Sequence, residues 1–389
     1  MTGAPALRFG GRARRLRIGI LLALLAGLLA LLAWQRWPWQ ASAAHRFRVS
    51  IFASGLEHPW GAALLPDGRL LVTERPGRLR LVGTDGSVSA PLGGVPPVVA
   101  RGQGGLLDIA LAPDFAATRE VFLCAAGQDR DGVLTRLLRA RLAADATALQ
   151  DVRTLLDAAP GVAGGLHFGC RIAFDRDGHV FLSTGERGQG QRSQALDDLA
   201  GKVLRVARDG AVPADNPFAG QEGARAEIWS HGHRNPQGLA FNPWTGSLWA
   251  AEFGARGGDE VNLVLPGRNY DWPLVSHGTG YDGRPIGTGQ ASAPGIEDPL
   301  FHWTPSVSPS GMAFYDGAAF PGWRGSLFLA ALNPPGLVRL ATQGDRVTGE
   351  ERLLFGRGVR LRQVVVARDG ALLVLTDEAS GRILRLTPM

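Results

Sequence analysis

The chain has 389 residues, 54 of them glycine and 25 proline, with 45% hydrophobic and 20% charged residues. That apolar share fills a large core and excludes a disordered protein, while glycine at about twice its usual frequency, without a three-residue period, excludes collagen and marks a turn-rich fold. The net charge of +6 equals the six arginines among residues 1–43 (Arg8, Arg12, Arg14, Arg15, Arg17 and Arg36), where no acid occurs; the remainder is neutral and offers no basic footprint for nucleic acid.

After those first arginines an apolar run extends from Ile18 to Trp34, followed by Trp37-Pro38-Trp39 and by Ala41-Ser42-Ala43, a small-x-small cleavage pattern. Residues 1–43 are therefore expected to be a signal peptide or a membrane anchor that keeps its arginines cytoplasmic, which places residues 44–389 outside the cytoplasm. Two cysteines, Cys124 and Cys170, sit in apolar strand-like runs. Buried free thiols are the default expectation, with a disulfide as the alternative, since sequence alone does not bring their Cα atoms within range.

From residue 46 one phrase recurs: an apolar strand, a turn rich in Asp and Gly, a second apolar strand, then a small or acidic end. Its copies cover residues 61–74, 107–115, 172–186, 239–252, 312–330 and 364–377. Asp-Gly between short β runs predicts hairpins, because those residues accept the positive φ of tight turns. Six units over about 340 residues leave about 57 each, longer than the roughly 40–45 of a plain blade and with room for loops. The expected fold is all-β, a six-bladed β-propeller, with residues 47–52 supplying a strand to the last blade and no sizeable helix after the leader.

Propellers bind ligands at the mouth of the axial channel, so polar clusters beside repeat starts are the candidate site. They are Arg101-Gly102-Gln103-Gly104-Gly105, Leu166-His167-Phe168-Gly169-Cys170-Arg171, His231 through Gly238, Gly254 through Glu260, and Arg360-Leu361-Arg362. Each occupies a related place in its repeat, as one axial site built from several blades requires. Arg360 and Arg362 alternate along a strand and so share a face.

At Gly232-His233-Arg234-Asn235-Pro236-Gln237-Gly238, Gly257-Gly258-Asp259-Glu260-Val261-Asn262, Gly267-Arg268-Asn269-Tyr270-Asp271-Trp272-Pro273 and Gly201-Lys202-Val203-Leu204-Arg205 the chain resembles the soluble quinoprotein sugar dehydrogenases, in particular the aldose sugar dehydrogenases. The resemblance covers residues 47–389. It implies an oxidoreductase that oxidises aldose sugars at the anomeric carbon by hydride transfer to pyrroloquinoline quinone (PQQ), with calcium as electrophile, and that passes electrons to a quinone or cytochrome. It implies His167 as general base, a task suited to neutral imidazole, and Arg234 at the quinone oxygens. Asn235, Gln103, Tyr281 and Ser306 match further cofactor contacts, Arg360 and Arg362 suit its carboxylates, and Gln191 matches a substrate position. For calcium, the resemblance implies the carbonyls of Gly254 and Ala255 at a catalytic ion, and Glu260 with the Tyr270 carbonyl at a structural one.

Four positions depart from the family pattern, the smallest change being Gln363 where an aspartate is common after the arginine pair. Ala255 stands where proline is usual, Phe253 where a polar residue is usual, and Asn333 where a cofactor-contacting lysine is usual; the only lysine of the chain is Lys202. These departures raise a non-catalytic sugar- or partner-binding propeller as the alternative. A calcium-dependent lactone hydrolase on this fold needs carboxylates converging on the metal, where the mouth loops offer arginines.

Overall fold

Short apolar runs cannot bury themselves alone; each pairs with the next, and here the pairing produces six antiparallel sheets around one axis. In the computed structural model, which describes residues 46–389, the first blade is three-stranded (Pro59–Leu64, Leu70–Glu74, Arg78–Val82). The second comprises Leu106–Leu111, Glu120–Gln128, Val133–Leu142 and Leu149–Asp157, the third Gly169–Phe174, Val180–Thr184, Lys202–Val206 and Ile228–His231. The fourth comprises Pro236–Phe241, Leu248–Glu252, Asp259–Leu263 and Phe301–Trp303, the fifth Pro309–Phe314, Leu327–Leu332, Pro335–Gln343 and Arg346–Leu353. The sixth holds Leu361–Val366, Leu372–Thr376 and Gly381–Pro388 and is completed by Phe47–Leu56, in a register running from Phe47 opposite Pro388 to Leu56 opposite Gly381. The expected strand exchange therefore closes the ring. The proposed leader, residues 1–43, lies outside the described residues.

The first strands of the six blades neighbour one another in a closed circle at the axis. Second strands such as Leu70–Glu74, Val180–Thr184, Leu248–Glu252 and Leu372–Thr376 are buried along their whole length. They read as continuous apolar runs because both faces meet a neighbouring blade. Phe122 and Leu137 of blade 2 pack with Ile172 and Leu182 of blade 3, and Trp249 and Val261 of blade 4 with Phe314 and Leu329 of blade 5. Leu373 and Ile383 of blade 6 meet Leu70 and Val72 of blade 1. Burial of such side chains, about 1.5–3 kcal/mol each, is what holds blade to blade.

The hairpin turns form as their sequences require. Gly68 has φ +90° while Asp67 Oδ1 accepts the Arg69 N–H at 3.0 Å. Gly370 has φ +81°, and a Cβ there would stand 2.6 Å from the Ala319 nitrogen. Helix among the described residues amounts to one turn, Phe115–Thr118, and the 3-10 turns Gly190–Ser193 and Pro321–Trp323.

One expectation is corrected. Cys124 and Cys170 are not free thiols; they form a disulfide with Cα atoms 5.6 Å apart. Cys124 lies in the second strand of blade 2 and Cys170 in the first strand of blade 3, so two apolar runs that look independent in sequence are facing layers of adjacent blades. A bridge closing a loop of this length contributes about 2–4 kcal/mol, and it fastens the segment that begins three residues earlier with His167.

Candidate active site

In an antiparallel hairpin the start of the first strand and the end of the second lie at the same rim. Repeating the hairpin six times therefore gathers six strand starts and six strand ends around one mouth. The mouth holds a cavity of about 480 Å3 to which every blade contributes. Trp60, Gln103, His167, Asn235, Ser308 and Arg360 come from strand starts of blades 1 to 6 in turn; Phe253, Leu332 and Asp377 come from strand ends.

His167 lies just before the first strand of blade 3, with a left-handed backbone (φ +49°) and its side chain 11% exposed. Its N–H donates to Gln103 Oε1 at 2.8 Å, and Nδ1 is 2.8 Å from Glu186 Oε2, the buried carboxylate two residues beyond the end of the second strand of the same blade. With Nδ1 donating to Glu186, the free lone pair is at Nε2, the arrangement that a base requires. Asn235 Oδ1 accepts the Gly169 N–H at 3.0 Å, tying blade 4 to the same segment.

Arg234 is buried and heavily directed. Glu252 Oε2 accepts its N–H at 2.8 Å, Nη1 donates to the Gly254 carbonyl at 2.7 Å, and Nη2 lies 3.3 Å from the Tyr281 hydroxyl. Its guanidinium stands 5.0 Å from the Trp272 ring centroid. Across the cavity Arg360 and Arg362 converge as their alternation predicts, with Arg362 Nη2 2.9 Å and Arg360 Nη2 3.2 Å from Asp377 Oδ2. Burial opposes ionisation of Asp377, but Arg362 and Arg360 outweigh it and hold its pKa at about 2. Arg362 Nη1 also donates to Gln237 Oε1 at 2.6 Å. The cavity thus exposes Arg75, Arg234, Arg360 and Arg362 against the single carboxylate of Asp377, and the buried Nε atoms of Arg234 and Arg362 have no hydrogen-bond partner. Unused donors beside surplus positive charge fit an anionic ligand rich in acceptor oxygens.

A groove of about 740 Å3 adjoins this cavity, sharing Tyr281, Ser308 and Asn333 with it. Ser306 and Ala255 line the groove and not the central cavity. Ser306 Oγ accepts the Gly257 N–H at 3.0 Å and lies 3.3 Å from Asp259 Oδ1. Gln191 is exposed on the 3-10 turn Gly190–Ser193 and lines neither space. Asn333 faces both. The turn it occupies is shorter than Pro334-Pro335-Gly336 suggests: Leu332 pairs with Pro335, leaving only Asn333 and Pro334 between the strands.

Glu260 and Tyr270 are buried behind the Arg234 segment. The Tyr270 carbonyl accepts the Trp272 N–H at 3.0 Å. Burial and the neighbouring Glu252 push Glu260 well above the usual carboxylate range; burial followed by Glu260 and Glu252 does the same to Asp271. Glu260, Asp271 and Glu252, the last already paired with His233 Nδ1 at 2.8 Å, are three neighbouring buried carboxylates, a donor set suited to a hard divalent ion. Asp175, Asp177 and His179 also bring ligand atoms within 4.8 Å of one another, but on a hairpin at the opposite rim, where Arg205 Nη2 already stands 3.1 Å from His179 Nδ1.

Glu186, Glu252, Asp377, Trp60 and Arg75 are site residues that the sequence reading does not single out, whereas Gln237 falls within its His231–Gly238 cluster. For the three acids a signal is present: each stands at or just beyond the end of a second strand, at the small or acidic end of the repeat.

The glucose/sorbosone dehydrogenase family model matches residues 56–385. The chain is 45% identical over 354 residues to the aldose sugar dehydrogenase YliI of Escherichia coli, covering 90% of this chain and 95% of that protein. Among solved structures it is similar to the soluble aldose sugar dehydrogenase of E. coli in its apo form (TM-score 0.86, 44% identity, 88% and 100% of the two chains). It is also similar to the PQQ-bound aldose sugar dehydrogenase of Streptomyces coelicolor (TM-score 0.74, 33% identity, 88% and 98%). With a propeller closed by strand exchange and a histidine and arginines converging at its mouth, the chain belongs to the glucose/sorbosone dehydrogenase family.

Proposed function

We propose that the protein is a PQQ-dependent sugar dehydrogenase that oxidises aldoses at the anomeric carbon. The observation that carries this is one cavity holding both a carboxylate-held imidazole and unused arginine donors. When bound, PQQ supplies the acceptor for the hydride of the anomeric carbon, and calcium the positive charge beside it. Arg234, Asn235, Gln103, Tyr281, Arg360 and Arg362 would hold PQQ, with Ser306 at the groove end. His167 takes the sugar hydroxyl proton at Nε2, and Glu186, holding Nδ1, stabilises the imidazolium that forms. Gly254 and Ala255 would serve the catalytic ion through their carbonyls, the first exchanging its bond from Arg234 for the metal. Glu260 and the Tyr270 carbonyl would serve the structural ion, with Glu252 and Asp271 adding negative charge.

Electrons pass onward to an exported carrier, a quinone or cytochrome, and residues 1–43 export or anchor the propeller. The test is reconstitution: protein mixed with PQQ and calcium reduces an artificial dye when given aldoses. Silence over a broad aldose panel together with no PQQ binding would sink the reading. A second reading, a non-catalytic sugar-binding propeller, draws on Asn333 and Phe253, both of which line the cavity; sugar binding without dye reduction in the PQQ-loaded protein favours it.

A further inference from the structure

On the propeller axis, beneath the cavity, Asp108 and Arg171 form a buried ion pair that the proposed reaction does not use. Asp108 belongs to the first strand of blade 2 and Arg171 to that of blade 3. Asp108 Oδ1 accepts from Arg171 Nη1 at 3.0 Å, and Oδ2 accepts the Ile172 N–H at 2.9 Å. The rest of the guanidinium crosses the axis. Nε donates to the Gln237 carbonyl of blade 4 at 2.7 Å and Nη2 to the Arg362 carbonyl of blade 6 at 3.2 Å. The guanidinium carbon lies 3.9 Å from the Trp60 ring centroid of blade 1, and a Cβ on Gly311 of blade 5 would come within 2.7 Å of Nη2. One side chain is therefore in reach of all six blades.

Such a pair is costly to bury. Desolvation pushes Arg171 down to about 10 against the pull of Asp108, with Arg362 adding to the fall. Apolar residues of the same volume commonly serve stability equally well. What apolar residues cannot do is grip two carbonyls across an axis with a planar fork. Both gripped residues line the cavity, and their side chains bond each other, Arg362 Nη1 to Gln237 Oε1 at 2.6 Å.

We propose that Arg171, oriented by Asp108, is a positioning residue that fixes the main chain of Arg362 and Gln237 and so holds the Arg362 guanidinium in the orientation that binds the anionic cofactor. The identity of that cofactor rests on the PQQ reading above.

Two variants test the proposal. Arg171→Lys keeps the charge beside Asp108 but lacks the fork, while the double change Asp108→Asn with Arg171→Gln leaves no unpaired buried charge and protects folding. PQQ titration in calcium, thermal melting, and the Arg362 Nε–Hε resonance of the cofactor-free protein are recorded for each. The expected result is folded protein with PQQ Kd raised about tenfold or more, the loss of one or two bonds involving a charged group. The KM for sugar at saturating PQQ stays unchanged, and the Arg362 resonance is shifted. Folded variants with wild-type Kd and an unmoved resonance overturn the proposal, even if melting temperature falls. If the wild type itself binds no PQQ, the cofactor reading fails. The Arg362 resonance of Arg171→Lys then decides alone: a shift upholds the positioning role and an unmoved signal ends it.

Discussion

In blade 3 the His167 ring is held through Nδ1 by Glu186, and in blade 4 the His233 ring is held through Nδ1 by Glu252, at 2.8 Å and 19 residues apart in both cases. The second nitrogens differ. His233 is fully buried, its Nε2 2.8 Å from Ser230 Oγ and its ring stacked on Tyr270 at 4.7 Å. His167 lines the cavity. The same histidine–acid pair is thus structural where a hydroxyl and a ring close it, and available for proton transfer where the mouth leaves it open. Chemistry here is set by what occupies the far side of the imidazole.

The strongest way to break that comparison is His167→Ala. Turnover should fall by about 10²–10⁴, the usual worth of a general base, with PQQ affinity within a few-fold of wild type by titration; near-normal turnover removes the proposed role. Glu186→Gln comes next. An amide can donate to Nδ1 and force the proton onto Nε2, so kcat should fall at least about tenfold while the fold persists. A wild-type kcat in that variant would show that the tautomer is not set by Glu186.

His233→Phe probes the closed pair. Glu252 is left buried without its partner, so stability should drop by about 1–3 kcal/mol in urea unfolding, whereas a thousandfold loss of kcat in folded protein would make blade 4's pair catalytic as well. At the open rim, Asn333→Lys should tighten PQQ about tenfold, with the gain shrinking as salt rises; unchanged affinity would place that side chain away from the cofactor.

An effect confined to acid conditions concerns His231. Burial, Lys202 and His233 push its pKa down to about 4 from an ordinary 6.5. Between those values the unfolded chain binds the proton and the folded chain does not. Stability is therefore full above pH 6.5 and declines as pH falls toward 4. His231→Gln should flatten that decline; equal slopes for both proteins between pH 7 and 5 would refute the assignment.

The blades were legible because their signals are local: Asp-Gly turns and apolar runs a few residues apart. The rim was half legible. Gln103, His167, Arg234 and Arg360 precede first strands and stand out as polar clusters, whereas Glu186 and Asp377 hide as ordinary repeat ends whose partners lie across a hairpin. The disulfide was hidden for a similar reason, since 46 residues separate Cys124 from Cys170 and only blade packing brings them together. Gln191 shows the converse limit: a position chosen by likeness in a loop sits on a turn outside the cavity.

The strand exchange between Phe47–Leu56 and Gly381–Pro388 also sets an order of events during synthesis. Phe47 and its partner Pro388 are made far apart in synthesis, separated on the order of tens of seconds at 5–20 residues per second. Until the last strand emerges, blade 6 is incomplete and Phe47–Leu56 has no strand to pair with. The cavity, which draws on blades 1 to 6 up to Asp377, is therefore complete only once blade 6 is made, and a chain without Gly381–Pro388 leaves Phe47–Leu56 and Leu372–Thr376 as unpaired sheet edges.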